Sequence, residues 1–195
     1  MFKIILASAS PRRKELLSKI YKDFEIIVSD KETSIDTDEP TTFCVRQAKQ
    51  KGVDIYEKAI NLFPNTKLLV LSFDTVVSID NKILGKPLDK ADAKKMLEKL
   101  SGREHKVYTG VCIAANLENF YLNTFFEETN VRVANLSDSE IESYLNTDDY
   151  KDKAGSYGIQ GSFSKFITGI DGDFYNVMGL PIASLYQKLK ELKLE

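Results

Sequence analysis

Apolar residues recur along this chain in two rhythms. Compact runs from Phe2 to Ala7, Leu68 to Leu71, Thr75 to Ile79 and Val107 to Ala115 predict strands, the third closed by an Asp80-Asn81 turn before Lys82 to Leu84. A long aromatic and β-branched segment, Phe120 to Ala134, follows Val107 to Ala115 across Asn116 to Asn119 and predicts a long antiparallel hairpin. Between these runs the spacing changes to three and four. Ser10 caps, and Pro11 opens, a helix carrying Leu16, Leu17 and Ile20. Asp89 caps a second with Ala93, Met96, Leu97 and Leu100, and Gly102 suits its stop. Ser137 with Glu140 forms a capping box ahead of Ile141, Tyr144 and Leu145. A last helix starts at Pro181 and presents Ile182, Leu185, Leu189 and Leu192 on one face.

Helices and strands alternate in the first half and hairpins appear later, which predicts an α/β fold with a mixed twisted sheet and flanking helices. At 195 residues the chain is expected to form a single domain, 1–195, with a real core. The formal net charge of −2 argues against a surface built for nucleic acid, so a phosphate-bearing partner would be small. No apolar stretch approaches the roughly 20 residues needed to span a bilayer. The run after Lys3 is too short for a signal peptide and is followed at once by Arg12 and Arg13. The expectation is a cytoplasmic protein without membrane or nucleic-acid partners. Cys44 and Cys112 lack metal or redox spacing and read as reduced structural thiols. His105, the only histidine, sits in a Gly-Arg-Glu-His turn and reads as a solvated surface residue.

Candidate chemistry concentrates in a few places. The turn between the first strand and helix carries Ser8, Ser10, Arg12 and Arg13, where free backbone N–H groups and fork-shaped guanidiniums suit phosphate oxygens. Asp74 interrupts an apolar segment, and a carboxylate there needs a partner, a metal or a solvent-lined cleft. Lys86, in Gly85-Lys86-Pro87, and Lys51, on a helix expected to open at Pro40, suit a polyphosphate or plain solvent. Asp30 to Thr42 is the most polar stretch and reads as a loop able to close over a site. In DKAGSYGIQG, Asp152 to Gly161, three glycines permit close backbone approach, and the Gln160 amide can read the edge of a base.

Five strings in order, LASASPRRKELL (Leu6 to Leu17), DTVVSIDNKILGKP (Asp74 to Pro87), KLSGREHKVYTGV (Lys99 to Val111), DKAGSYGIQG and GDFYNVMGLP (Gly172 to Pro181), resemble the Maf family of nucleoside triphosphate pyrophosphatases. The resemblance runs from about residue 4 to the final helix. It implies a fold like that of the inosine triphosphate pyrophosphatases, with two lobes around a cleft and often a homodimer. It also implies hydrolysis of a nucleoside triphosphate between the α- and β-phosphates, dependent on Mg²⁺ or Mn²⁺. On that resemblance Asp74 is the proton acceptor, and Arg12, Thr75 and Gln160 set nucleotide preference. Ser8, Arg13, Lys51 and Lys86 line the phosphate site. Glu32 and Asp74 are the carboxylates expected to hold the metal, and Asp74 can serve either as base or as metal ligand. Pro11-Arg12-Arg13, Asp74-Thr75 and Ile159-Gln160-Gly161 look like the branch that prefers dTTP and UTP.

The chain departs from the family pattern at two points. Glu32-Thr33 stands where many relatives have a Glu pair, with Glu32 or Asp30 left to substitute. Ser72-Phe73 replaces a usual Gly-Ala, which places a ring beside Asp74 and is expected to narrow the pocket or alter its selectivity. These departures keep a second reading open, a nucleotide-binding regulator of septum formation with little catalysis.

Overall fold

A computed structural model describes residues 2–29, 37 and 39–195. Its centre is a seven-stranded mixed sheet in the order β2-β1-β3-β5-β6-β7, with β4 also on β3. The strands are β1 (Lys3–Leu6), β2 (Glu25–Ile26), β3 (Leu68–Ile79), β4 (Lys82–Leu84), β5 (Glu104–Asn116), β6 (Phe120–Val133) and β7 (Ile167–Asp171). The helices are α1 (Pro11–Leu17), α2 (Pro40–Leu62), α3 (Lys90–Leu100), α4 (Asp138–Leu145), α5 (Phe174–Met178) and α6 (Ile182–Glu191). β1 runs parallel to β2 and β3, whereas every other pairing is antiparallel. The expected mixed sheet and the β5–β6 hairpin are both present.

The strands of the sheet centre are buried on both faces, so their side chains divide by parity. Ile5, Ala7, Leu68, Val70, Cys112 and Ala114 meet Ala48, Ile55, Tyr56 and Ala59 of α2. Their neighbours Ile4, Leu6, Leu69, Leu71, Phe73 and Ile113 turn to the other face, where Leu16, Leu17, Leu97, Leu185 and Leu189 complete the larger core.

Two glycines set how closely α2 approaches. A Cβ on Gly52 would lie 2.6 Å from Ser72 Oγ and 2.7 Å from Cys112 Sγ, and one on Gly110 would overlap the Cys44 carbonyl. The Ser72 hydroxyl adds a 2.6 Å bond to the Ala48 carbonyl. Helix and strands are therefore in backbone contact at this point.

β3 forks the sheet. Its first residues, Leu68 to Leu71, pair with β1, and its last, Val77 to Ile79, pair with β4 on the same side. Between them, among the described residues, β3 has only β5 for a neighbour, with Asp74 opposite Gly110 and Thr75 opposite Thr109. Asp74 thus does not interrupt the strand as its sequence suggests, because the open side of the fork accommodates a carboxylate within a continuous β3.

Two sequence expectations are corrected. His105 is not a solvated turn residue: it is 2% exposed on β5, with Nε2 2.7 Å from the Tyr157 hydroxyl. The alternation Glu104, His105, Lys106, Val107 points it inward. Phe73 does not narrow the cleft either. Strand alternation turns it away from Asp74 into the core, where it is fully buried with the Arg13 guanidinium 5.9 Å from its ring centroid. Both cysteines are free and buried, and burial pushes their thiols up, to about 12 for Cys44 and about 11 for Cys112.

Candidate active site

A cleft of about 1130 Å³ opens over the fork of β3. Six chain segments reach it around β3: the turn between β1 and α1, Val28 and Ser29 after β2, one face of α2, the turn after β4, the loop running from Lys151 to Gln160, and Val177 to Gly179 at the end of α5. Ser8, Arg12, Arg13, Lys51, Asp74, Thr75, Lys86 and Gln160 all line it. The candidates scattered along the sequence thus share one wall system. Glu32, with Asp30 and Thr33, lies outside the described residues, as does most of the polar stretch from Asp30 to Thr42.

On the α2 face of the sheet, Lys51 Nζ is 2.6 Å from Asp74 Oδ1, and both side chains are mostly buried. The close approach of α2 over Gly52 and Gly110 brings the lysine there. Phe43, Gln47 and Lys51 follow one another at intervals of four and all line the cleft, so the helix presents a continuous stripe to it. Sequence reasoning found only Lys51, although that spacing pointed equally to Gln47.

The other face holds Arg13. Its Nε donates to the Gly179 carbonyl at 2.8 Å, Nη1 to Ser8 Oγ at 3.3 Å and Nη2 to Thr75 Oγ1 at 3.0 Å. A guanidinium has five N–H groups, so about two remain for an anion. Burial pushes Arg13 down to about 10, while the Asp74 charge pulls it back up, leaving it cationic at neutral pH. Ser8 Oγ accepts both from Arg13 and from the Ser10 amide, which leaves its own proton to donate. Asp74 and Thr75, adjacent on β3, thus present a carboxylate toward Lys51 on one face and a hydroxyl toward Arg13 on the other.

The remaining walls are tied to one another. Gly155 N donates to the Gly85 carbonyl at 3.0 Å, joining the Lys86 turn to the loop that carries Gln160. Asp149 fastens that loop at both ends, accepting from the Ser162 amide at 3.0 Å and pairing with Lys153 at 3.0 Å. Tyr157 forms an inner wall, its hydroxyl on His105 and its ring 4.9 Å from that of Phe163. Arg12, Lys86 and Lys151 add cationic groups around the rim, against Asp152. The cleft is suited to a ligand with an anionic end and a flat polar end.

Among the described residues no cluster of three or more His, Cys, Asp or Glu is built to hold a metal ion. Asp74 supplies a carboxylate in a cleft whose other charged side chains, Asp152 apart, are cationic. That donor set fits a Mg²⁺-like cation held by one or two carboxylates and the oxygens of a bound phosphate, rather than an all-protein cage.

Thr109 and Asn176 are buried behind Arg13 and escaped sequence reasoning. Both lie in strings that carried the family resemblance, yet a threonine in a strand reads as a strand former and an asparagine near a glycine as a turn residue.

The sequence has relatives along nearly its whole length. The Maf-like protein family model covers residues 3–192. A dTTP/UTP pyrophosphatase of Agathobacter rectalis is 45% identical over 201 aligned positions, covering 98% of each chain. One from Bacillus anthracis is 45% identical over 196, covering 100% of this chain and 98% of the relative. A solved HAM1 protein from Coxiella burnetii is 14% identical but superposes with a TM-score of 0.53, covering 98% of this chain and 100% of the other, a likeness of fold. With the family match running from β1 to the end of α6 and so enclosing every segment that builds the cleft, the chain belongs to the Maf family.

Proposed function

We propose that the protein hydrolyses nucleoside triphosphates, dTTP and UTP foremost, to the monophosphate and pyrophosphate. The observation that carries this reading is the fork of β3, where Asp74 paired with Lys51 lies beside Thr75 bound to Arg13 in one cleft. The names of the relatives support the substrate assignment, and the branch signatures at Arg12, Thr75 and Gln160 agree with it.

Hydrolysis of a phosphoanhydride is chiefly a matter of charge neutralisation and in-line placement of water. In this reading Arg13, held by three protein acceptors, offers its remaining N–H groups to the phosphate chain. Ser8 donates its hydroxyl proton, and Lys51, Lys86 and Arg12 add positive charge. Asp74 accepts the proton of the attacking water, its carboxylate oriented by the 2.6 Å contact with Lys51. Asp74, with Glu32, would hold Mg²⁺ or Mn²⁺, which when bound neutralises phosphate oxygens. Gln160, on the loop fastened by Asp149, reads the base edge together with Arg12 and Thr75. Phe73 leaves the cleft unobstructed, which removes one reason for the alternative of a regulator with little catalysis.

The reading extends to setting. We propose that the protein acts as one domain, residues 1–195, on free nucleotides in the cytoplasm. No described helix is long and apolar enough to cross a membrane, and the net charge of −2 disfavours a nucleic-acid partner. The open edge of β6 before its pairing with β7, with Phe120 and Phe126 exposed, offers a surface for the expected homodimer.

The test is a substrate panel of dTTP, UTP, CTP and GTP, each with Mg²⁺, with Mn²⁺ and with chelator. Fastest turnover of dTTP and UTP, lost on chelation, supports the reading. Equal rates on all four refute the assignment of nucleotide preference, and full turnover in chelator refutes the metal.

A further inference from the structure

The hydrogen bonds behind Arg13 have a direction, and it is set outside the cleft. Thr109 is fully buried on β5 and does not line the cleft. Its Oγ1 donates to the Asn176 carbonyl at 3.0 Å. A carbonyl only accepts, so the single hydroxyl proton of Thr109 is committed there. In the 2.9 Å contact between Thr75 Oγ1 and Thr109 Oγ1 the proton must then come from Thr75. Thr75, with its proton turned into the sheet, has only lone pairs left for the cleft side, and one of them takes Nη2–H of Arg13 at 3.0 Å.

We infer that Thr109, bonded to the Asn176 carbonyl, is a positioning residue for Arg13: it holds Thr75 as an acceptor and thereby fixes where the free N–H groups of the guanidinium point. The inference rests on the proposed reading of Arg13 as a phosphate-binding group.

The segment that carries Asn176 grips Arg13 a second time through the Gly179 carbonyl, on Nε at 2.8 Å. It is itself fastened to the sheet. Asn176 Nδ2 donates to the Val107 carbonyl at 3.1 Å and to Thr129 Oγ1 at 3.0 Å, and Thr129 Oγ1 donates to the Asp173 carbonyl at 3.1 Å. Gly179 has φ 107°, and a Cβ there would stand 3.2 Å from Thr75 Oγ1 and 3.4 Å from Arg13 Nε. The guanidinium is therefore set by β3, β5 and the end of α5 together. Without the Thr109 hydroxyl, the Thr75 proton loses its acceptor and is free to turn toward Arg13 or the substrate, and Arg13 loses one of its fixed points.

A double-mutant cycle tests this. Thr109→Val, close in shape but without the hydroxyl, and Thr109→Ser, which keeps it, are each made in the wild type and in Arg13→Lys. Two quantities are measured: kcat/KM for dTTP with Mg²⁺, and the dissociation constant of the non-hydrolysable α,β-imido analogue of dTTP without metal. In the wild-type background Thr109→Val is expected to lower kcat/KM about tenfold and to weaken analogue binding, with Thr109→Ser within about threefold of the wild type. In the Arg13→Lys background the same change is expected to have less than about a twofold effect.

An equal loss from Thr109→Val in both backgrounds would mean a general packing role and overturn the inference. So would a Thr109→Ser protein as impaired as Thr109→Val, or wild-type kinetics in Thr109→Val. If the wild type binds the analogue but does not turn over dTTP, the pyrophosphatase reading fails on its own, and the cycle is decided from the dissociation constants. Binding of neither nucleotide overturns both.

Discussion

The single histidine gives the fold a built-in pH sensitivity whose size follows from its burial. His105 is 2% exposed, and desolvation lowers it from 6.5 to about 4. Between these values the unfolded chain takes up a proton that the folded chain refuses, so stability is fully present above about 6.5 and falls as the pH drops toward 4. At pH 5 the linkage amounts to about 2 kcal/mol, a substantial part of the roughly 5–15 kcal/mol that holds a typical domain. Burial pushes its partner Tyr157 well above the ordinary phenol range, so the tyrosine remains a neutral hydroxyl throughout. Urea unfolding at pH 7.5 and pH 5.0 measures the effect, with His105→Gln as reference because it retains an amide for the Tyr157 hydroxyl and does not titrate. The wild type is expected to lose about 2 kcal/mol more than the variant between the two pH values. Parallel losses in both proteins would refute the reasoning, and with it the assignment of His105 as a neutral buried wall support.

Asp74→Asn is expected to fold normally and to lose about a hundredfold or more in kcat on dTTP, read by initial rates beside a circular dichroism spectrum. Gly110→Ala is expected to destabilise the protein by about 1–3 kcal/mol in urea titrations, because its methyl meets the Cys44 backbone rather than a side chain that can turn away. It should also lower kcat, since displacing α2 takes Lys51 off Asp74; unchanged kcat would show that the contact is dispensable.

Much of this fold was legible because the periodicities were clean. The capping box at Ser137 and Glu140, the Asp89 cap and the Asp80-Asn81 turn are present as read. β7 and α5 were not foreseen: Ile167–Asp171 is half-polar and short, and Phe174–Met178 is barely one turn, so neither builds a period. The continuity of β3 through Asp74 was hidden for another reason. Which side of a strand lies open is decided by where the pairing with β1, far away in sequence, stops and the pairing with β4 begins. Phe73 shows the same limit in reverse, since adjacency to Asp74 in sequence means the opposite face in a strand. Ser8, Arg12, Arg13, Asp74, Lys51, Lys86 and Gln160 were legible as candidates from residue type and context, and the ordered motifs gave them their roles and added Thr75. Their supports, Thr109, Gly110 and Asn176, act through backbone contact and hydrogen-bond direction, which residue type alone does not disclose.

The most direct test of the central claim is the identity of the products of dTTP hydrolysis, resolved by phosphorus NMR during turnover with Mg²⁺. The account predicts thymidine monophosphate and pyrophosphate in equal amounts from the first time point, without orthophosphate. Orthophosphate with the diphosphate would place the cleavage at the wrong bond and contradict it, as would tight nucleotide binding with no turnover.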